Sequence, residues 1–309
     1  MKETNETAVT EFILLGFTSI KHTKFLLFAI FFIIYIVTVT GNIVIVAIVY
    51  GNIHLHTPMY FFLSNLSCLE IFYTSNIIPK MLSDIIKENP TVPFTGCIIQ
   101  LYFFGSLGST ECFLLGVMAY DRYVAICKPL HYPLLMTVRT SAFMALCSWT
   151  TGFFATFGAI VLVYELHFCG PNRIKHFFCD LQPVLKLSCN TPYTIDTVSW
   201  VLASTILLGS CFLTLASYFR IIITVVKIPS SKSRQKAFST CTAHLTVVII
   251  FYGAMISMYV SPSTLKNEEF NKILSLLYTV VTPFMNPFIY ALRNQDVKQA
   301  LHKAMIKTY

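Results

Sequence analysis

Seven apolar segments, each about as long as a membrane-spanning helix, constrain this 309-residue chain more than any other feature. A bilayer core of about 30 Å requires roughly 20 apolar residues in a helix that rises about 1.5 Å per residue. With 55% hydrophobic and 12% charged residues, the composition is also too apolar for an ordinary soluble domain. We therefore predict an all-α membrane protein with a seven-helix bundle, whose spans cover approximately residues 25–50, 58–78, 97–120, 140–164, 198–219, 237–260 and 273–292.

The segments between the spans differ in charge. If residues 1–24 lie outside, the inner loops and the tail 293–309 contain twelve Lys and Arg against two acids, whereas the outer segments contain ten of each. This asymmetry follows the positive-inside rule, so the basic excess indicates topology and the anionic inner leaflet rather than nucleic acid. Residues 1–24 lack the features of a cleavable signal peptide, so the first span is expected to direct insertion. We predict a multi-pass plasma-membrane protein with 25–292 as its membrane domain, an extracellular amino terminus and a glycosylation sequon at Asn5.

Four of the ten cysteines fall on the predicted outer side, where oxidation is expected. Four cysteines allow three pairings. A bond from Cys97, at the start of the third span, to Cys179 would fix the long loop across the mouth of the bundle, and it leaves Cys169 with Cys189. This is the pairing that we predict. The other six cysteines lie in or at the ends of spans and are expected to remain free thiols.

The inner end of the third span carries an adjacent acid and base, Asp121 and Arg122, followed by Tyr123. One interpretation is an interfacial arginine that snorkels beside its neighbour. The other is a switch, in which Asp121 holds Arg122 at rest until helix movement frees the guanidinium for a cytoplasmic partner. In the seventh span, Pro287 removes a backbone donor and Asn286 can hydrogen-bond within the bend, so a deformable segment is expected near the same face.

Longer motifs accompany these residues and make a family resemblance specific. The chain resembles the rhodopsin-class G-protein-coupled receptors and, within them, the olfactory receptor family, over nearly its whole length. The motifs that carry the resemblance are residues 11–16, 41–42, 55–67, 118–132, 217–218, 236–245, 283–290 and 292–294.

The resemblance implies a receptor for small-molecule odorants that raises cyclic AMP through a stimulatory heterotrimeric G protein. It makes Asp121, Arg122 and Tyr123 the coupling switch, with Tyr218 and Tyr290 rearranging around Arg122 on activation. Three departures from the wider receptor class stand out. The start of the sixth span offers no carboxylate to lock the arginine, Tyr252 stands where a Trp is usual, and the proline after it is missing. The basic residues found there instead are Lys232, Arg234 and Lys236.

The outer third of a helix bundle is the usual place for a small-molecule cavity. No carboxylate occupies the Phe104 position, where receptors for cationic amines carry one. We therefore expect a small, largely hydrophobic, neutral ligand, oriented by Ser109, Tyr259 or Thr279. For each residue, ordinary helix packing is the alternative. The predicted contacts are Phe104, Gly105, Gly108, Ser109, Cys112, Leu202, Ile206, Tyr252, Met255, Tyr259, Tyr278 and Thr279.

Two acids, Glu70 and Glu111, lie within spans and are expected to face the bundle, because an unpaired acid there costs very roughly 3 kcal/mol. The pair is predicted to bind a sodium ion or to share a proton. The alternative is a pair of neutral side chains hydrogen-bonded to neighbours such as Asn42 and Asn286. No other cofactor is expected.

Rival functions have less support. Seven spans without an internal repeat disfavour a transporter, two membrane acids are too few for a charged pore, and no catalytic motif is present. His167 and His176 leave a zinc site as an alternative, although their spacing matches no zinc pattern well. A receptor of the same family that responds to a metabolite outside the nose stays open, as does the oligomeric state. The tail predicts a short amphipathic helix on the inner leaflet, with an apolar face of Val297, Ala300, Leu301, Ala304 and Met305.

Overall fold

The computed structural model describes residues 9–16, 23–168, 172–189, 193–260, 268–293 and 297–302. Within these residues the chain forms seven long helices, which confirms the predicted all-α bundle. They are α1 (Lys24–Gly51), α2 (Pro58–Ile86), α3 (Phe94–Cys127), α4 (Val138–Tyr164), α5 (Tyr193–Val226), α6 (Ser231–Tyr259) and α7, which joins Glu268–Leu276, a π-helical turn Leu277–Val281 and Thr282–Arg293.

Five of these helices, all but α2 and α6, are long and apolar enough to cross a membrane as judged from the described residues. Their outward faces carry large exposed apolar side chains such as Phe154 and Phe212, which suits contact with lipid. In α2 the polar side chains Ser64, Ser67 and Glu70 lower the hydropathy, but all three are buried against other helices. In α6 the apolar part is the shorter stretch His244–Tyr259.

The helices extend beyond the predicted spans because charged residues can continue a helix past the apolar core. The clearest case is α2, which was predicted to end at residue 78 and continues to Ile86. Its last turns contain Lys80 and Asp84, an i,i+4 ion pair that stabilises a helix at a polar boundary. At the start of α4, the Thr137 side chain accepts a hydrogen bond from the Thr140 backbone N–H at 3.2 Å and caps the helix.

Close approaches between helices occur where glycine is present. A Cβ atom added at Gly152 of α4 would lie 2.2 Å from Thr110 Oγ1 of α3 and 2.9 Å from the Ser106 carbonyl oxygen. A Cβ at Gly41 of α1 would lie 3.0 Å from Pro287 Cβ of α7. Any larger side chain at Gly152 would therefore force α3 and α4 apart.

One end of the bundle, here called the disulfide end, is covered by loop structure that the sequence analysis did not predict. The strands β1 (Glu11–Leu14), β2 (Thr91–Pro93) and β3 (Arg173–Ile174) form a sheet in the order β2-β1-β3, with β1 antiparallel to β2 and parallel to β3. Phe12 and Leu14 of β1 are buried in an apolar cluster around Cys97. The predicted Cys97–Cys179 bond is present, with a Cα–Cα distance of 5.5 Å, and it joins α3 to the loop that contains β3.

The remaining cysteine predictions have mixed outcomes. The six cysteines expected as free thiols are free. Cys189 is held in a disulfide. Its predicted partner Cys169 lies outside the described residues, as does Asn5, so that pairing and the glycosylation site stay predictions.

The opposite end of the bundle, here called the Arg122 end, carries Asp121 and Arg122 at the end of α3. Next to it, residues 297–302 are helical. Val297 and Ala300 are buried in the main apolar core, whereas Lys298 is exposed. The predicted amphipathic character is present in these residues, and Ala304 and Met305 lie outside the described ones.

Candidate functional site

A largely apolar cavity of about 120 Å³ lies between α3, α4, α5 and α6 near the disulfide end. The loop that carries Cys179 closes it, because Asp180 and Leu181 contribute to the wall. On α3, Gly108 leaves space where a side chain would otherwise project, whereas a Cβ at Gly105 would lie 2.8 Å from Thr156 of α4. At about 120 Å³ the space is smaller than the roughly 300–1,000 Å³ of pockets for drug-sized ligands, so it suits only a very small molecule and no peptide.

Nine of the twelve residues predicted as ligand contacts line this cavity. The helical spacing used in the prediction places these residues on α3, α5 and α6 along one common surface. Their position in the wall is a structural fact, and their contact with a ligand stays a prediction. The nine are Phe104, Gly105, Gly108, Ser109, Cys112, Leu202, Ile206, Met255 and Tyr259.

The other three predicted contacts, Tyr252, Tyr278 and Thr279, are not part of the cavity wall. Tyr252 lies under the cavity, where its hydroxyl donates to the Cys112 carbonyl oxygen at 3.1 Å and links α6 to α3. Thr279 is buried and donates to the Ser275 carbonyl oxygen at 2.7 Å within α7. Tyr278 packs between α3 and α6, with its ring 6.1 Å from that of Phe104. The π-helical turn Leu277–Val281 changes the directions in which these side chains of α7 point. The prediction assumed a regular α-helix, in which they would point elsewhere.

In the middle of the bundle, Glu70 and Glu111 are both buried, as predicted. The Asn286 side chain of α7 donates a hydrogen bond to Glu70 Oε1. Asn42, in contrast, donates to the Thr38 carbonyl oxygen at 2.9 Å and to the Pro283 carbonyl oxygen at 3.5 Å. Its amide group therefore does not donate a hydrogen bond to Glu70 or Glu111, as the alternative had predicted.

Glu111 differs from Glu70 because neither of its carboxyl oxygens has a hydrogen-bond partner among the described residues. The two acids interact electrostatically. The described residues contain no group of three His, Cys, Asp or Glu side chains able to hold a metal ion.

At the Arg122 end, Asp121 is fully buried and accepts two hydrogen bonds from Arg122, from Nε at 2.9 Å and from Nη2 at 2.5 Å. The Tyr132 hydroxyl donates to the other Asp121 oxygen at 2.9 Å. Tyr132 begins a short helix, Tyr132–Leu135, between α3 and α4. Burial raises the pKa of its hydroxyl, followed by the charge of Asp121, so it stays a proton donor. Asp121 thus holds Arg122, and Tyr132 in the short helix after α3 in turn holds Asp121.

A second contact at this end joins α5 to α6. Tyr218 and His244 are both buried, and the Tyr218 hydroxyl lies 2.5 Å from His244 Nδ1. Tyr218 was predicted as part of the switch and His244 was not, although His244 stands in the 236–245 motif. The start of α6 offers no carboxylate for Arg122, and the Tyr218–His244 hydrogen bond instead joins α6 to α5. The Tyr123 ring, also predicted in the switch, lies 5.8 Å from Lys128 Nζ.

The deformable segment predicted in α7 coincides with close helix contacts. Asn286 reaches Glu70 in α2, and Pro287 lies against Gly41 in α1. The side chain of Tyr290 lies outside what the structure describes, so its role stays a prediction.

Comparison with known proteins gives consistent results. The family model described as Olfactory receptor matches residues 31–308. Human Olfactory receptor 11L1 is 48% identical over 305 residues, covering 99% of this chain and 95% of that protein. Human Olfactory receptor 6B1 is 49% identical over 303 residues (98% and 97%), and rat Olfactory receptor 226 is 50% identical over 301 residues (96% and 92%).

The chain belongs to the olfactory receptor family. Membership agrees with the bundle of long apolar helices and makes this chain a multi-pass membrane receptor of the odorant-receptor type.

One residue in the cavity wall of this olfactory receptor, Asp180, was not predicted from the sequence. Asp180 is a fully buried carboxylate in the cavity wall, and its Oδ1 accepts a hydrogen bond from the Tyr259 hydroxyl at 3.0 Å. Helical spacing has no bearing on a loop residue, so Asp180 was not among the predicted contacts. The available signal was its position beside Cys179, which the predicted disulfide already placed at the mouth of the bundle.

Proposed function

We propose that this olfactory receptor binds a small, mostly hydrophobic, neutral odorant in the cavity near the disulfide end and activates a stimulatory heterotrimeric G protein, which raises cyclic AMP. In this proposal the disulfide end is extracellular and the Arg122 end faces the cytoplasm and the anionic leaflet. The positive-inside charge asymmetry and the position of an oxidised cysteine pair support that orientation.

The observation that supports the proposal best is that α3 contributes to both the cavity and the switch. Cys112 lies in the cavity wall, and Asp121 is nine positions further along the same helix. At about 1.5 Å per residue, the two positions are about 14 Å apart. The Tyr252 hydroxyl joins α6 to the carbonyl oxygen of Cys112, so a ligand that moves Cys112 or its neighbour Met255 also acts on α6.

The Arg122 end then responds through hydrogen bonds that can exchange partners. Outward movement of α6 separates His244 from Tyr218, and it frees space beside Arg122 for the G protein. Release of Arg122 from Asp121 completes the change, since an arginine guanidinium carries five N–H donors for backbone carbonyls of a partner.

The proposal is tested by cyclic AMP measurements in cells that contain the olfactory stimulatory G protein. Wild type and Arg122→Ala are compared on a chemically diverse odorant panel at equal surface expression. A dose-dependent rise with a neutral volatile compound that Arg122→Ala loses supports both parts of the proposal. A well-expressed wild type that stays silent with every odorant, but responds to a tissue metabolite, overturns the odorant assignment. An intact response in Arg122→Ala overturns the coupling mechanism.

We also propose a sodium ion at Glu70 and Glu111, because the two Glu111 oxygens lack a hydrogen-bond partner among the described residues. Carboxylate oxygens are suitable ligands for a hard cation. Replacing external sodium with choline should raise basal cyclic AMP in wild type and leave Glu111→Gln unchanged. Absence of sodium dependence in both proteins would instead favour a carboxyl pair that shares a proton, and equal dependence in both would place the sodium effect outside this pair.

A further inference from the structure

The loop that closes the cavity is tied to α3 at one residue by two different bonds. The Cys179 side chain forms the disulfide with Cys97, and the Cys179 backbone N–H donates to Gln100 Oε1 at 2.9 Å. Cys97 and Gln100 are three positions apart in α3, so they project from the same face of the helix. Cys179 is fully buried, and a buried backbone N–H requires an acceptor of this kind.

Gln100 is itself fixed by α2. Its Nε2 atom donates to the Asn76 carbonyl oxygen at 2.9 Å, and the Asn76 side chain donates back to the Gln100 carbonyl oxygen at 3.0 Å. A backbone carbonyl only accepts and a backbone N–H only donates, so one orientation of the Gln100 amide satisfies both Asn76 and Cys179. Gln100 is 7% exposed, and a glutamine is seldom buried to this extent without such partners.

The next turn of α3 continues the contact with the loop. Phe104, four positions after Gln100, lines the cavity, and its ring centroid lies 4.8 Å from that of Phe178. Phe178 and Cys179 therefore rest on three successive turns of α3. The chain then enters the cavity wall, to which Leu181 contributes. The direction in which the loop enters the wall is thus set at its contact with α3.

The disulfide alone does not set that direction. It joins two side chains through several rotatable bonds, so it limits the distance between Cys97 and Cys179 and leaves the orientation of the loop backbone free. A hydrogen bond to the backbone N–H also orients the plane of that peptide bond. A loop that is already ordered spares the ligand the entropy of ordering it, which raises affinity.

We infer that Gln100 is a positioning residue for odorant recognition. It holds the backbone at Cys179, and thereby the part of the loop that closes the cavity, in the orientation that the ligand requires. Gln100 is not among the described residues that line the cavity, so it acts without touching the ligand. The inference rests on the proposed function, because the loop closes the proposed odorant site.

The first test measures hydrogen exchange in the peptide that contains Cys179, with the detergent-solubilised receptor. Gln100→Met keeps the length of the side chain and removes the amide acceptor, so exchange at this peptide should become about five- to tenfold faster. The matched control is Gln182→Met, because Gln182 donates to Asp196 at 3.3 Å and is not among the described lining residues. It should exchange as wild type does. Wild-type exchange in Gln100→Met overturns the inference.

The second test separates positioning from a merely structural role. Cyclic AMP is measured for homologous odorants that differ by one CH₂ group each. Because the loop is displaced, Gln100→Met should lower the potency of the best homologue about five- to tenfold and change the preferred chain length, with the maximal response kept at matched surface expression. A lower maximal response to every homologue, with the preferred length unchanged, overturns the inference.

Asn76→Ala is the control at the other side of Gln100. It removes the side-chain hydrogen bond from α2 to α3 and leaves the bond between Gln100 and Cys179 in place, so it should keep the preferred chain length. An equal change in Asn76→Ala and Gln100→Met would assign the effect to the packing of α2 on α3 and overturn the inference.

A third variant decides the question if Gln100→Met does not reach the surface. In Cys97→Ser the disulfide is absent and the Gln100 acceptor remains, so the peptide that contains Cys179 should stay protected from exchange. Exchange at the rate of an unstructured peptide overturns the inference. Silence of the wild type toward every odorant at good surface expression overturns the proposed function, whereas the exchange measurements need no odorant and still report whether Gln100 holds the loop.

Discussion

The two ends of the bundle are held together by different kinds of interaction. At the disulfide end, the covalent Cys97–Cys179 bond and a three-stranded sheet frame a cavity with few polar groups. At the Arg122 end, the contacts are hydrogen bonds, among them those of Asp121 with Tyr132 and of Tyr218 with His244. A hydrogen bond contributes about 1 kcal/mol net and can exchange partners, whereas a disulfide cannot. The comparison indicates a rigid frame for recognition and an adjustable end for signalling.

The largest effect is expected from removing the covalent bond. Cys97→Ser should lower the free energy of unfolding by up to about 4 kcal/mol, because the bond closes a segment of 82 residues. Thermal inactivation of the detergent-solubilised receptor measures the loss. The control is Cys241→Ser, which replaces a buried free thiol at the Arg122 end and should lower the free energy of unfolding much less. Equal losses in the two variants would contradict the difference between the ends.

His244→Phe should act on signalling more than on stability. It keeps an aromatic ring but removes the hydrogen bond with Tyr218, at a cost of about 1–3 kcal/mol to the resting arrangement. If that arrangement restrains α6, basal cyclic AMP should rise by about tenfold. The exposed His131 at the same end provides the control His131→Phe. Unchanged basal signalling in His244→Phe would remove this contact from the switch.

Tyr132→Phe is expected to have a smaller effect of the same sign. It removes one of the hydrogen bonds to Asp121 and leaves the ion pair with Arg122 in place. The loss of about 1 kcal/mol should raise basal cyclic AMP about fivefold at matched surface expression. The more exposed Tyr120 offers the matched variant Tyr120→Phe. A fall in basal signal would show that Tyr132 favours the active state.

The last effect concerns stability rather than signalling, and it depends on pH at the disulfide end. Burial, with a contribution from the charge of Lys272, lowers the pKa of His176 to about 3. Below about pH 6.5 the His176 side chain binds a proton in the unfolded chain but not in the folded loop. Acidification from pH 7 to pH 5 should therefore lower the free energy of unfolding by about 2 kcal/mol. Thermal inactivation should therefore be less sensitive to acid in His176→Gln than in wild type. The exposed His54 gives the control His54→Gln, which should behave as wild type does.

Much of this molecule can be predicted from its sequence, because the bilayer imposes a length on every span and the helix imposes a spacing on every face. Those two rules placed Phe104 and Gly108 on α3 and Met255 on α6 in one cavity wall. They also placed Glu70 and Glu111 inside the bundle.

The errors have physical causes. The end of α2 was placed too early because Lys80 and Asp84 lower the hydropathy while an ion pair supports the helix. Thr279 was assigned to the cavity on the assumption of a regular α7, which a π-helical turn interrupts. Asp180 was missed because its position depends on a loop that a disulfide and a sheet fix from a distance.

The most direct test of the account is to fill the cavity without touching the switch. Gly108→Phe places a ring where a Cβ atom would meet only the flexible end of Met255 at 3.8 Å and a Tyr73 ring carbon at 4.0 Å. The dose–response curve for cyclic AMP, basal cyclic AMP and surface expression are measured together for this variant and wild type. The account predicts that the odorant response is lost while surface expression is kept, and basal cyclic AMP reports whether the ring acts on α6 through Met255. An unchanged odorant response with the cavity filled would contradict the claim that the ligand acts from this cavity.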